Sequence, residues 1–546
     1  MDATTPAATT FPRATHEVRN QPPPLPDYDA VGDDAVLVEG LAAFGGDATS
    51  LGNLGALAGS AQAREAGRLA DTYTPVLHIH DRYGHRIDEV EFHPAWHELM
   101  STAVAHGLHA APWVSDGAGP HVTRAAGFMA WYQVEAGHGC PISMTYAAVP
   151  ALRVDPELAE RYVPGLASDT YDFGLRPPAQ KAGLIAGMAM TEKQGGSDVR
   201  SNSTIAVPDG DGFRLLGHKW FCSAPMSDLF LVLAQDDDAG LSCFVVPRVL
   251  PDGTRNPFAI QRLKDKLGNR ANASSEIEFA GTYAERLGAP GRGVRTIVEM
   301  VSATRLDCVL GSAALMRRAL TEAGWHATHR QAFGRTLIDQ PLMATVLTDL
   351  ALEVEAAQWL GLRLAAAVDR GEDGLRRIAL PMSKYYVCKR APGQIFEAME
   401  ALGGPGYVEE SGMPRLYREA PVNSIWEGSG SINALDLLRA LAREPGSLDA
   451  WLAEIAPLRG VDAGADAAIV AVLDALAQPP AVLEPAARWL AEQMALLLSA
   501  ALLVQNAPTG TAEAFVARRF NRASGTVGAT LAGPDTQVLE RALPLS

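Results

Sequence analysis

The sequence predicts a multidomain α protein with a central β domain, and three observations carry that class. The chain has 546 residues, more than one hydrophobic core accommodates, so several domains of ordinary size are expected. Its composition, 47% hydrophobic and 20% charged, is that of a soluble globular chain. Its apolar pattern changes three times: from helical to strand-like near residue ~200, back to long helical segments near ~293, and into a further helical set after ~446.

Taken in order, residues 1–34 read as an extended arm. The prolines in QPPPLPDYD hold their predecessors out of the helical region, and the segment has no apolar core of the kind a secretion signal needs, so a cytoplasmic chain is expected. Residues 35–185 read as a mostly helical domain, with helical periodicity in TRAAGFMAWYQVEA (123–136). Residues 186–285 read as a β domain, because GFRLLGHKWFCSA, DLFLVLAQ, GLSCFVVPR and ASSEIEFAG are short apolar or alternating runs separated by turn clusters such as DDDAG and PDG. Residues 286–442 carry long periodic segments with short connections, the pattern of an antiparallel helical bundle. Residues 443–546, with DAAIVAVLDALAQ, EPAARWLAEQMALLLSAALLVQ and TAEAFVARRFNRAS, read as an additional helical domain. The richest apolar run, MALLLSAALLV (494–504), falls short of the ~18 residues of a membrane span and is expected as a buried helix.

Charge and cysteine usage exclude several function classes. The net charge of −17 argues against a chain that coats nucleic acid. Its distribution is uneven: about −14 over residues 1–285, about +1 over 286–440 and about −4 over the remainder. The five cysteines, Cys140, Cys222, Cys243, Cys308 and Cys388, are widely spaced with no C-x-x-C pair, so neither a disulfide framework nor a zinc knuckle is indicated. His93 and His97 in HPAWH have the i, i+4 spacing of helix-borne metal ligands, but no glutamate follows the first histidine as in H-E-x-x-H. They are expected to be structural, as are His78 and His80, and no metal site is expected. No G-x-S-x-G elbow is present. Neither a dinucleotide fingerprint nor a P-loop is found in a convincing context, yet AMTEKQGGSDV (189–199) carries two adjacent glycines among hydroxyl and carboxylate residues, the texture of a backbone cradle.

That stretch gains specificity from three others. AMTEKQGGSDV, GHKWFCSA (217–224), RQAFGR (330–335), and LGGPGY (402–407) followed by IWEGSGSI (425–432) together resemble the acyl-CoA dehydrogenase superfamily of flavoenzymes, in the family's order and at its approximate distances. NQPPPL, FHPAWHELM, MTEKQGGSDVRSNST, LKDKLGNRANASSEIEF and PVNSIWEGSG are similar to its adaptive-response (AidB) branch, over residues ~20–440. The resemblance implies an N-terminal α domain, a β-barrel-like middle domain, a C-terminal four-helix bundle and, in this branch, a further helical domain. It also implies one FAD per subunit in a homotetramer.

Carried over position by position, the resemblance implies that Met190 and Thr191 meet the flavin ring, Ser197 meets the diphosphate, and Gly195 and Gly196 permit the turn between. Trp220-Phe221-Cys222-Ser223 stands where the family has Trp-Ile-Thr-Asn. Trp220 would shield a flavin face, and Cys222 replaces the threonine whose hydroxyl bonds N5. A thiol is a weak donor, which leaves Ser223, a backbone amide or a differently tuned flavin. Arg330 and Phe333 resemble the residues that hold the diphosphate and adenine of the neighbouring subunit's FAD, and Gly403 and Gly404 would present amides to phosphate. Ser429 fits a family hydroxyl position, whereas Ser431 replaces a more usual glutamine. Glu427 fills the position of the base that removes the α-proton of an acyl-CoA.

Two functions are therefore expected. One is an FAD-dependent acyl-CoA dehydrogenase on a short branched chain, with low isovaleryl-CoA-like activity and an electron-transferring flavoprotein as oxidant. The other is binding of double-stranded DNA in the response to alkylation, through Arg439, Arg443, Arg518, Arg519 and Arg522. An ordinary catabolic dehydrogenase with no DNA role is the alternative.

Overall fold

The computed structural model describes residues 15–236, 239–444, 446–521 and 525–545. The N-terminal region holds helices α1 (Ala35–Phe44), α2 (Leu54–Ala58) and α3 (Ala61–Thr72), a hairpin of β1 (Val76–His80) and β2 (Arg86–Glu91), and helices α4 (Pro94–Ala105), α5 (Pro120–Tyr132), α6 (Gly139–Leu152) and α7 (Pro156–Leu166). The hairpin departs from the mostly helical reading. LHIH and RIDEVE alternate, and Gly84 at φ 90° turns the chain between them.

Seven strands follow: β3 (Ala186–Ala189), β4 (Ile205–Asp209), β5 (Gly212–Ser223), β6 (Leu229–Asp236), β7 (Gly240–Pro247), β8 (Ala259–Leu263) and β9 (Ser274–Leu287). Their pairing closes on itself. β6 pairs β4 and β7, β7 pairs β9, β9 pairs β5, and β5 pairs β4, while β3 adds to β6 and β8 to β9. The ring encloses apolar side chains including Leu215, Phe230, Val232, Phe244 and Ile277, and closure removes most free strand edges.

The bundle is built on α8 (Gly293–His329), a short hairpin of β10 (Gln331–Ala332) and β11 (Arg335–Thr336), α9 (Pro341–Asp369) and α10 (Asp373–Ala401). α11 (Met413–Asn423) and α12 (Gly430–Arg443) complete it, and α13 (Gly446–Ile455), α14 (Ala463–Leu476), α15 (Pro480–Asn506), α16 (Thr509–Phe520) and α17 (Thr536–Ala542) pack on its outer side. α15 is long and apolar enough by length and composition to cross a membrane, but 72% of its apolar window is buried inside the fold. There it packs against α9, α10 and α12.

The arm preceding α1 is tied to the bundle. Asp34 caps α1 by accepting from the Val36 and Leu37 amides, and its second oxygen accepts from Arg317 Nε at 2.9 Å and Gln358 Nε2 at 2.7 Å. An N-cap carboxylate that also takes two buried donors fixes where the first helix starts and what it lies on.

Candidate functional site

A cavity of about 1530 Å³ opens where the β domain meets α5, α6, α8 and the α11–α12 turn. Small-molecule sites usually hold about 300–1,000 Å³, so this one has room for a large cofactor and a substrate side by side. Its walls include Met190, Thr191, Gly196 and Ser197 from the loop after β3, Phe221 and Ser223 from β5, and Glu427 and Ser429 from the turn before α12.

The loop after β3 is fixed from beneath. Glu192 and Lys219 are wholly buried and pair at 2.8 Å, and Lys219 Nζ also donates to Leu233 O at 2.7 Å. Glu192 accepts further from the Ser203 amide at 2.7 Å, the Ser203 hydroxyl at 2.8 Å and the Thr204 amide at 3.1 Å. Burial works against its charge, but the Lys219 ammonium and these donors hold the carboxyl well below the ordinary range. Above this anchor the chain turns back at Gly195, φ 141°, a conformation open to glycine alone. A Cβ on Gly196 would stand 2.4 Å from Thr191 Oγ1. Gly196 thus lets the turn pack on Thr191 and brings Met190, Thr191 and Ser197 together at the cavity wall, a polar loop that fits FAD.

The Trp-Glu-Gly turn is held as firmly. Lys384, buried in α10, donates to Trp426 O at 2.7 Å and to Gly428 O at 2.8 Å, while Arg305 of α8 donates to Glu427 O at 3.0 Å. Asn433 Nδ2 donates to Gly428 O at 2.6 Å. These bonds keep Glu427 at φ 58°, a left-handed conformation costing a non-glycine residue about 1–2 kcal/mol. Its side chain reaches the cavity wall, where Oε2 is buried with no hydrogen-bond partner among the described residues. Burial pushes its carboxyl up to about 7, against the pull of Arg305, Lys384 and Thr304. A desolvated carboxylate titrating near neutrality, with one oxygen unengaged, is suited to general-base chemistry.

Not all of the expected residues meet here. Trp220 is outside the cavity wall and carries the Lys264 ammonium 3.6 Å from its ring centroid. Cys222 points into the interior of the β ring, where burial pushes its thiol up to about 12. The register shift between Lys219 and Cys222 sends both of those side chains inward and leaves Phe221 and Ser223 on the cavity. Ser431 is exposed beyond the wall. Arg330, Phe333, Gly403 and Gly404 are likewise outside it. Phe333 is 99% exposed, at φ 53° on the tip of the β10–β11 hairpin, and Asn20 brackets the hairpin by hydrogen bonds with Gln331 N and O, each 2.8 Å.

The arginines assigned to DNA separate into two groups. Arg439 and Arg443 are exposed and line the cavity. Arg518 and Arg519 are not available: Arg519 pairs with Asp349 and Glu353 of α9 with all three side chains buried, and Arg518 is buried with a bond to Gly533 O. The amphipathic spacing of VARRF turned these cations inward, because buried carboxylates of α9 await them. Arg522 lies outside the described residues. His93 accepts from the Ala95 amide at the start of α4 and His97 contacts the Tyr171 hydroxyl at 3.1 Å. Among the described residues no group of three or more histidine, cysteine, aspartate or glutamate side chains could hold a metal.

Sequence reasoning missed Lys384, Arg305, Lys219 and Lys266, the cations that hold the loops or line the cavity. Their signal was a lone basic residue in an apolar stretch, as in ALPMSKYYV and TRLDCVL. A buried cation must have acceptors nearby.

Comparisons with known proteins agree with this architecture. Residues 20–173 match the adaptive response protein AidB N-terminal domain, residues 187–282 the acyl-CoA dehydrogenase middle domain, and residues 291–442 the acyl-CoA dehydrogenase C-terminal domain. The chain is 46% identical to the Escherichia coli protein AidB over 510 residues, covering 92% of this chain and 94% of that one. Among solved structures, the apo form of Bd2924 superposes with a TM-score of 0.83 at 28% identity, covering 90% of this chain and 100% of that one. Caenorhabditis elegans ACDH-11, in complex with C11-CoA, gives 0.81 at 26% identity, covering 97% and 96%. With its three matched domains and its cavity set between the β ring and the bundle, the chain belongs to the acyl-CoA dehydrogenase family of FAD-dependent oxidoreductases, in the branch that carries an AidB-type N-terminal domain.

Proposed function

We propose that this protein oxidises the thioester of a short branched acyl-CoA, of the isovaleryl kind, across its Cα–Cβ bond, with Glu427 as the base. The observation that carries this reading is the Glu427 carboxyl itself: buried, raised to about 7, with one oxygen unengaged on the wall of a cavity large enough for two ligands. Bound FAD would supply the acceptor of the β-hydrogen. Met190, Thr191, Ser197 and Ser223 would hold its ring and diphosphate on the Gly195-Gly196 turn.

Glu427 takes the α-proton at its free oxygen. A carboxylate removed from water is a stronger base than one in solution, and the four hydrogen bonds that Lys384, Arg305 and Asn433 donate to the turn's carbonyls hold it in one place through the transfer. Phe128, Met144, Ile297 and Leu380 in the same wall exclude water. Exposed Arg200, Arg295, Arg439 and Arg443 line the cavity and suit the phosphates of CoA.

The exposed Phe333 hairpin and the Gly403-Gly404 loop, both apart from this cavity, support a homotetramer in which each subunit completes its neighbour's FAD site. An electron-transferring flavoprotein is the re-oxidant in this reading, and a cytoplasmic setting accords with five free cysteines. A second reading, double-stranded DNA bound during the response to alkylation, retains Arg439 and Arg443 as exposed cations. It has lost Arg518 and Arg519 to internal pairing, so the thioester reading stands first.

The test is an anaerobic titration with isovaleryl-CoA, following the flavin band near ~450 nm. Bleaching by the thioester supports the proposal. A yellow protein that does not bleach refutes isovaleryl-CoA as substrate and directs the search to longer acyl chains and to DNA.

A further inference from the structure

Replacement of the family's threonine by Cys222 leaves open which group donates a hydrogen bond to the flavin, and the wall below Ser223 contains an answer. Lys266 lines the cavity, and its ammonium donates to Asn272 O at 2.7 Å and to Ser274 Oγ at 2.9 Å. Ser274 Oγ lies 3.1 Å from Ser223 Oγ. An ammonium can only donate, so Ser274 accepts from Lys266 and still has its own proton to place. If Ser223 donated to Ser274, that proton would have no partner among the described residues. If Ser274, which is only 5% exposed, donates to Ser223, its proton is used inside the wall and the proton of the less buried Ser223 is left to the cavity. The other acceptor beside Ser223 is the Cys140 sulfur, a weak one.

We infer that Lys266, Ser274 and Ser223 form a polarised relay that makes the Ser223 hydroxyl the hydrogen-bond donor to bound flavin, with Lys266 as its positioning charge. The inference rests on the FAD reading above and deepens it. Burial lowers the Lys266 ammonium to about 8, so it is charged at neutral pH. A cation at the head of a hydrogen-bonded chain strengthens each bond after it, and a donor aimed at the flavin stabilises the reduced form, in which electron density on the ring rises. The relay also accounts for Ser274, which otherwise has no role at the start of β9.

The measurement is the flavin reduction potential, by anaerobic dye equilibration, together with the dissociation constant for sulfite, which adds to the oxidised flavin and leaves negative charge on it. The holoproteins compared are wild type, Ser223→Ala, Ser274→Ala, Lys266→Met and Lys266→Arg. Each of the first three variants is expected to weaken sulfite binding about tenfold and to shift the reduction equilibrium about tenfold, about 30 mV for a two-electron couple. Lys266→Arg is expected to recover most of the difference, because charge and not shape is what the relay needs. Ser223→Ala and Ser274→Ala each remove a single oxygen, so they test the relay even if Lys266→Met does not fold. Flavin bound with unchanged potential and sulfite affinity in both serine variants overturns the relay while leaving the FAD reading intact. A protein that takes up no flavin overturns both.

Discussion

The Lys219 ammonium sits 2.8 Å from Glu192 Oε1, and neither side chain is exposed. The pair belongs to different segments, β5 and the loop after β3, so it fixes the register of the glycine turn against the β ring. Removing one partner of such a pair leaves an uncompensated buried charge, at about 3–5 kcal/mol. Lys219→Met is therefore expected to lower the urea midpoint and to release flavin during gel filtration. Lys219→Met with Glu192→Gln is expected to recover part of the stability, since the stranded carboxylate is then gone. A single variant as stable as wild type would show that the pair does not hold the loop.

Gly196→Ala tests the cradle directly. Its new Cβ would meet Thr191 Oγ1 at 2.4 Å, well inside van der Waals contact, so either the turn or the threonine must move. Flavin retention is expected to fall about tenfold with little change in the melting temperature of the apoprotein, the turn being at the cavity wall and not in the core. Adding Thr191→Ala should restore some of the loss by clearing the oxygen.

Glu427→Gln is expected to keep FAD and to reduce it about 10²–10⁴-fold more slowly with thioester, the usual worth of a general base. Stopped-flow reduction measures it. In wild type the rate should rise with pH through about 7 as the carboxyl ionises, a limb absent from the glutamine variant. Equal rates for the two proteins would remove Glu427 from the reaction.

Two buried carboxyls, Glu427 and Glu419, are raised from 4.5 to about 7, each by burial first, with Glu135 adding to the rise at Glu419. The folded state therefore holds more protons than the unfolded chain between about 4.5 and 7. Stability from these groups is fully present below 4.5 and is lost as pH rises through 7. Each contributes on the order of 3 kcal/mol across that window. Glu419→Gln keeps the shape and cannot ionise, so the fall in urea midpoint between pH 5 and pH 8 is expected to be smaller than in wild type. An identical fall would mean that Glu419 is ionised in the fold at both values.

The α, β, α order was legible because periodicity records which faces are buried, and in DLFLVLAQ or PLMATVLTDL that signal is continuous. The hairpin at Val76–Glu91 escaped because its alternation is shallow, with β1 buried only in part along its length. Met190, Thr191, Ser197 and Glu427 were visible as motif residues. Their supports were not, because Lys384 and Glu427 are far apart in sequence and meet only when α10 packs under the α11–α12 turn. Cys222 shows the same limit at short range. The resemblance sets it at the threonine's position, but a strand's register shift decides which neighbour faces the cavity, and one-dimensional spacing does not contain it.

Arg519 marks where a charge pattern and a fold part company. VARRFNR offers a cationic cluster at the surface of a free helix, yet Arg519 pairs with Asp349 and Glu353, and Arg390 pairs with Glu353 from the other side. Both arginines hold Glu353 down to about 2 in spite of its burial. Arg519→Met is accordingly expected to destabilise the docking of α16 on α9, lowering the melting temperature by several degrees, and to leave any DNA affinity and its salt slope unchanged. Arg439→Gln with Arg443→Gln is expected to do the reverse: no change in melting temperature, and a several-fold rise in KM for acyl-CoA that shrinks at high salt, as exposed charge pairs do. DNA affinity that collapses in Arg519→Met at full stability would show that this arginine leaves its carboxylates to reach phosphate, and would return the outer helices to the DNA reading.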